Sequence, residues 1–359
     1  MGIPFSLFSL VFVFQYASFA LFSIMIGKLS SLKKVNLPLV LFIALVIGAL
    51  SIGFIGISWS FITLIIFMII IGGAGGSVES VGTALLAHES DNKNFIYFSQ
   101  FFYALGAFIA PLLISIFLSL DTSIPSITVI IGVFSTLIAL VVAYLLFNQR
   151  NLGESKKVAL DTNVQEKGND AVENRSLFVA ILMAMIIYVI LESSIASWLP
   201  SYFESSLNYN PSKAASMLTS YWAGLMIARL WYSFYQKKGT LMYLILHCII
   251  MLIFIVLLLF LRNSNSYFLI LSCCFIVGIG CGPIWPLLIE YCMHLFKKQH
   301  YTMYLIAGGS IGALSGPLLT ALIFSYIGIE SFFIIMSIYA FILMICIIRT
   351  HPKERAISS

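Results

Sequence analysis

The 359-residue chain is 61% hydrophobic and 9% charged, with a mean hydropathy of +1.05, which excludes a soluble globular domain because its surface could not be solvated. Its net charge of +5 is read as membrane topology and attraction to an anionic inner leaflet, so no nucleic acid is implied.

A hydrocarbon core about 30 Å thick is crossed by roughly 20 apolar helical residues. In chain order, the apolar runs bounded by charge or turn signals predict eleven spans: about 4–27, 36–57, 60–87, 95–119, 126–147, 177–203, 213–235, 240–261, 266–293, 300–327 and 330–349. Barrel strands alternate and are about half as long, so the fold class is an all-α polytopic membrane helix bundle. Basic residues are retained on the cytoplasmic side. Alternating the loops from Lys28, Lys33 and Lys34 as inside leaves only Lys213 and Arg262 of the 19 basic residues outside. The C-terminus is then cytoplasmic and the N-terminus opposite, and a multi-pass protein of the cell membrane is expected. The six cysteines (248, 273, 274, 281, 292 and 346) fall in apolar spans without a CxxC pair or a histidine cluster, so they read as small packing residues and no metal or other cofactor is expected.

Residues 148–176 hold ten of the 33 charged residues and no apolar stripe, which predicts a flexible cytoplasmic linker. It separates five spans in 1–147 from six in 177–350, with 351–359 as a cytoplasmic tail. A shift of 206 residues reveals a repeat: "GAFIAPLL" (106–113) overlies "GALSGPLL" (312–319), Gly72 and Gly76 overlie Gly278 and Gly282, His88 overlies His294, and Ala17 overlies Ala223. The two segments are expected to be pseudo-symmetric copies of one bundle. At this shift the counterpart of span 177–203 would lie ahead of Met1, so the first segment is expected to lack the partner of the second segment's leading helix.

Glu79, in "MIIIGGAGGSVESVGTALL" (68–86), is a carboxylate amid apolar and small residues. Ionised inside a bilayer it would cost at least about 2.5 kcal/mol. No lysine or arginine is expected at comparable depth, Arg229 being assigned to the cytoplasmic end of its helix, so protonation is the cheapest solution and Glu79 is the candidate proton carrier. The bland alternative is a neutral acid bonded to a backbone carbonyl. Glu192, expected in the outer half of its span, is followed by Ser193, Ser194, Ser197 and Trp198. Acid, hydroxyls and indole together suit a polyol; the alternative is an interfacial belt of Trp198 and Tyr202 beside a wet vestibule. Pro283 and Pro286 flank Trp285 in "GPIWP" and free carbonyls that neighbours or water must satisfy, making Trp285 a candidate pocket wall, with packing as the alternative. Gln100, near the cytoplasmic start of its span, is a further solute candidate. His88, His294 and His300 read as interface caps.

Two six-helix halves joined by a charged loop resemble the major facilitator superfamily, and within it the fucose permease-like sugar transporter branch. "GGAGGSVESVGTALL" is similar to that branch's glycine-rich fourth helix with its glutamate, Thr83 standing where an asparagine often occurs. "SQFFYALGAFIAPLL" (99–113) resembles its fifth helix. "YVILESSIASWLPSY" (188–202) resembles its seventh, with Ile190 in place of a glycine, and "GIGCGPIWPLL" (278–288) its tenth. The loop "GKLSSLKK" keeps Gly27, Lys33 and Lys34 of the superfamily's basic signature but not its aspartate. The resemblance implies an eleven-helix (5 + 6) version of the fold lacking the first family helix, and proton coupling at Glu79. It further implies solute contacts from Glu192, Trp198, Trp285 and Gln100, and gating by Gly27, Lys33, Lys34, Arg229, Pro283 and Pro286.

The expectation is a monomeric, non-enzymatic secondary transporter in the lipid bilayer that moves a small polar solute, a sugar or polyol, by alternating access with proton symport. Its rivals are an exporter of hydrophobic metabolites or drugs and a non-transporting paralogue. A membrane enzyme is disfavoured, since no metal helix or nucleophile elbow occurs.

Overall fold

The computed structural model describes residues 5–31, 37–58, 60–89, 94–150, 175–235, 240–261, 266–296 and 299–350. Among these, the regular elements are all helical: α1 (Phe5–Ser31), α2 (Leu37–Ile55), α3 (Phe61–Glu89), α4 (Asn94–Ser119), α5 (Ile124–Arg150), α6 (Arg175–Leu207), α7 (Pro211–Phe234), α8 (Thr240–Leu261), α9 (Tyr267–Cys281), α10 (Ile284–Leu295), α11 (Gln299–Ile327) and α12 (Phe332–Ile348), with one 3₁₀ turn at Ile329–Ser331. The helices α9 and α10 make one membrane-length element, Tyr267–Leu295, broken next to Pro283, so that among the described residues each of the eleven expected spans coincides with a helical element. Most of the predicted linker, 151–174, lies outside the described residues, as do Lys33, Lys34 and the tail 351–359.

Among the described residues, eight helices are long and apolar enough to cross a membrane, and Leu10–Ser23 and Leu39–Ile55 are shorter apolar helices. The remaining helix, α7, has the length but carries Lys213, Thr219, Ser220, Arg229 and Ser233. Its start is fixed locally: Pro211 occupies the first turn, where its missing N–H is not needed, and the Asn210 side chain accepts from the Lys213 N–H at 2.8 Å.

The chain forms two compact units, one of α1, α2, α3 and α5, the other of α4 and α6 to α12. Within the first, α3 lies parallel to α1 with Gly72 and Gly76 against it. A Cβ at Gly72 would strike the Gln15 carbonyl oxygen, and one at Gly76 that of Phe19. Small residues one turn apart let backbones approach this closely. Within the second, α9 lies on α7 in the same way: Gly278 stands against the Tyr221 carbonyl oxygen and Gly282 against that of Leu225. All four positions differ by the same 206 residues (72 to 278, 15 to 221, 76 to 282, 19 to 225). A third contact repeats with changed chemistry. The Ser18 Oγ donates to the Ile69 carbonyl at 2.7 Å; at the shifted positions Gly224 lies directly on the Phe275 carbonyl. The sequence repeat is therefore a repeat of helix contacts.

Elsewhere in the second unit α4 runs along α7 and α11 along α6. The α6–α11 seam is closed by Gly312 and Gly316 against the Ile186 and Ile190 carbonyls, and by a hydrogen bond from Thr320 Oγ1 to Ser194 Oγ at 2.9 Å.

Candidate functional site

The proline pair sets up the chemistry of the second unit. A helical N–H bonds the carbonyl four residues earlier, and proline has none to give. Pro283 therefore leaves the Ile279 carbonyl without its helical donor, and Pro286 leaves that of Gly282. Both carbonyls are met from neighbouring helices. His247 Nδ1 on α8 lies 3.2 Å from the Ile279 oxygen, and Arg229 Nε on α7 donates to the Gly282 oxygen at 2.9 Å. A carbonyl can only accept, so Nδ1 carries the proton in this bond. The other ring nitrogen, Nε2, meets the Tyr232 hydroxyl at 2.8 Å.

Arg229 reaches further. Its Nη2 donates to Glu192 Oε1 at 3.1 Å, closing an ion pair, and to the Tyr188 hydroxyl at 3.5 Å. Its Nη1 lies 3.3 Å from Gln100 Oε1 and 3.4 Å from the Gln100 carbonyl. The guanidinium also stands 5.7 Å from the Tyr103 ring centroid, and Tyr103 meets Trp222 edge-on, a cation–π arrangement. Cys281, at the helix break, accepts from the Tyr221 hydroxyl at 3.1 Å and lies 3.8 Å from that of Tyr188. One cation thus joins α4, α6, α7 and the α9–α10 break. Arg229 is 1% exposed and Tyr188 fully buried, while the Glu192 side chain retains 12% exposure.

Two residues singled out in the sequence meet in this cluster. Arg229 stands near the end of its helix, five residues before Phe234, and its long side chain points to the freed Gly282 carbonyl. Glu192 lies just past the centre of its helix, on the Leu207 side. It stands 17 residues from Arg175 and 15 from Leu207. A buried charge is costly unless paired and hydrogen-bonded, and each of these two supplies the other's compensation.

The other predicted residues lie as follows. Glu79 is exposed on α3, beyond the glycines that meet α1, and has no ion-pair partner among the described residues. Trp285 is half-buried in the first turn of α10, where a Cβ placed on Gly309 would stand 3.8 Å from its Nε1. Trp198 is 1% exposed; its indole N–H donates to the Pro317 carbonyl at 3.0 Å and its ring meets Phe324 edge-on. Tyr202 is buried among Phe203, Phe332 and Phe333. Pro283 and Pro286 are buried at the break, and Gly27 lies in the last part of α1. Among the described residues no cluster of metal-ligating side chains occurs.

Sequence reasoning missed Tyr188, Tyr221, Cys281 and His247 as members of a polar cluster. For His247 a signal existed: a buried donor must be found for each carbonyl four residues before a membrane proline.

The chain is 24% identical over 319 residues to the glucose/mannose transporter GlcP of Bacillus subtilis (strain 168), an alignment covering 85% of this chain and 76% of that one. Its fold matches the crystal structure of a bacterial homologue of the human lysosomal transporter Spinster, in an inward-facing and occupied conformation, with a TM-score of 0.67 at 12% identity over 98% of this chain and 90% of that chain. The family model of the Major Facilitator Superfamily matches residues 1–306. With its all-helical fold and repeated helix contacts, this multi-pass membrane protein is a transporter and not an enzyme: the chain belongs to the Major Facilitator Superfamily.

Proposed function

We propose that the protein carries a sugar across the cell membrane by alternating access, driven by a co-transported proton, with its C-terminus in the cytoplasm. The observation that carries this reading is the mid-helix Glu192 carboxylate, held by Arg229 and still partly exposed, with the Gln100 amide on the same guanidinium. A fixed carboxylate beside an amide offers hydrogen bonds of both senses to adjacent hydroxyl groups, which a hydrophobic cargo could not use. The relationship to a glucose/mannose transporter supports the same solute class. In this reading Glu192, Gln100 and Trp285 contact the solute, while Trp198 acts as packing because its N–H is already engaged.

Glu79 is the proposed proton carrier. Glu192 is already held by the Arg229 guanidinium, whereas Glu79 has no ion-pair partner among the described residues. The test is uptake of labelled glucose and mannose by protein in liposomes with the outside acidified. Accumulation that collapses on adding a protonophore supports the reading. Uptake that ignores the proton gradient, or no uptake of either hexose, overturns it. A reporter fused to the C-terminus checks the orientation.

A further inference from the structure

A guanidinium has five N–H donors, and all five of Arg229 are placed: Nε on the Gly282 carbonyl, Nη1 on the carbonyl and side-chain oxygen of Gln100, Nη2 on Glu192 and Tyr188. With no donor left over and 1% exposure, Arg229 has nothing to offer a solute directly. Two of its partners, though, are the side chains read above as solute contacts, and they come from different helices, α6 and α4.

We propose that Arg229 is the positioning residue of solute recognition: from its anchor on the Gly282 carbonyl it fixes the Glu192 carboxylate and the sense of the Gln100 amide at once. This rests on the solute reading of those two residues. Arginine only donates, so the oxygen of the Gln100 amide must face it, and the amide NH₂ is turned away as a fixed donor. The same guanidinium holds one carboxylate oxygen of Glu192 and leaves part of that group reachable as a fixed acceptor. The result is an acceptor and a donor of set polarity, the complement of a hydroxyl that donates to one and accepts from the other. Pro286 is part of the device. Without the missing N–H at that position, the Gly282 carbonyl would have a helical donor and would hold the guanidinium less firmly. Lysine keeps the charge but is a point donor without the planar fork, so it cannot set both groups.

The test measures hexose uptake in liposomes for the wild type, Arg229→Lys, Gln100→Leu and the double variant. Expected is a KM raised at least tenfold in Arg229→Lys with kcat within about threefold, and less than a further twofold rise when Gln100→Leu is added, because the amide has already lost its set orientation. A KM within twofold of wild type in Arg229→Lys overturns the proposal. So does a Gln100→Leu effect that multiplies KM by the same factor in both backgrounds. A purely structural arginine would lower the amount of folded protein and leave KM alone. Should Arg229→Lys fail to fold, or the wild type carry neither hexose, nuclear magnetic resonance of ¹⁵N-arginine protein decides the positioning separately from the solute reading. A slowly rotating guanidinium in the wild type, lost in Gln100→Leu, supports it, and identical spectra overturn it.

Discussion

Arg229 Nε donates at 2.9 Å to the carbonyl of Gly282, the group that Pro286 leaves without its helical donor. The ion pair with Glu192 is thereby built onto a backbone defect, and the two cannot be removed independently. Truncating one member of a buried ion pair costs about 3–5 kcal/mol because the other is stranded, while replacing both by apolar residues is often nearly neutral. Arg229→Met is therefore expected to destabilise the detergent-purified protein by about that amount. Adding Glu192→Met should recover part of the loss. Thermal unfolding of the two variants checks the order; a double variant less stable than the single would refute the pairing argument.

The His247 contact supplies a second, independent case. His247→Phe keeps an aromatic ring in the seat but withdraws the donor from the Ile279 carbonyl, a cost of about 1–3 kcal/mol for a buried unsatisfied group. Pro283→Ala would return a helical N–H to the same carbonyl. It is expected to restore stability in the His247→Phe background and to have little benefit in the wild type. Equal effects in both backgrounds would show that the ring and the carbonyl are not coupled.

The repeated contacts lead to paired glycine variants. Gly72→Ala and Gly278→Ala each push a methyl onto a carbonyl oxygen at matching positions, so both are expected to lower stability, by about 1–3 kcal/mol as overpacking does. Gly106→Ala is the control, since nothing lies within 4 Å of its would-be Cβ; removing a helical glycine there is expected to be neutral or to stabilise by about 0.5–1 kcal/mol. Midpoints of thermal unfolding for the three variants decide it.

Much of the scaffold was legible in the sequence because the bilayer leaves so few solutions: backbone polar groups must be satisfied within helices, and runs of apolar residues long enough to cross mark them. The break at Gly282–Pro283 was legible from "GPIWP", and the repeat from glycines whose spacing is dictated by helix contact. The centre of the site was not. Counting residues to the next basic loop gives the position of the Arg229 backbone, not the direction of a side chain that reaches into the bundle. Tyr188, Tyr221 and Cys281 resemble core residues until the helices that bring them together are known.

Glu79→Gln separates carriage of the solute from carriage of the proton. Glutamine keeps the size and hydrogen-bonding capacity of a protonated glutamic acid but cannot release a proton, so the variant is fixed in the form of the loaded carrier. If Glu79 binds the coupled proton, substrate exchange between equal pools should persist in Glu79→Gln liposomes, because exchange needs no proton release. Net uphill accumulation should vanish, and the pH dependence of initial uptake, which in the wild type should rise as the outside is acidified toward protonation of the carboxylate, should flatten. Loss of exchange together with accumulation would mean that Glu79 supports the fold or the solute. Retention of proton-driven accumulation would place the proton on another group.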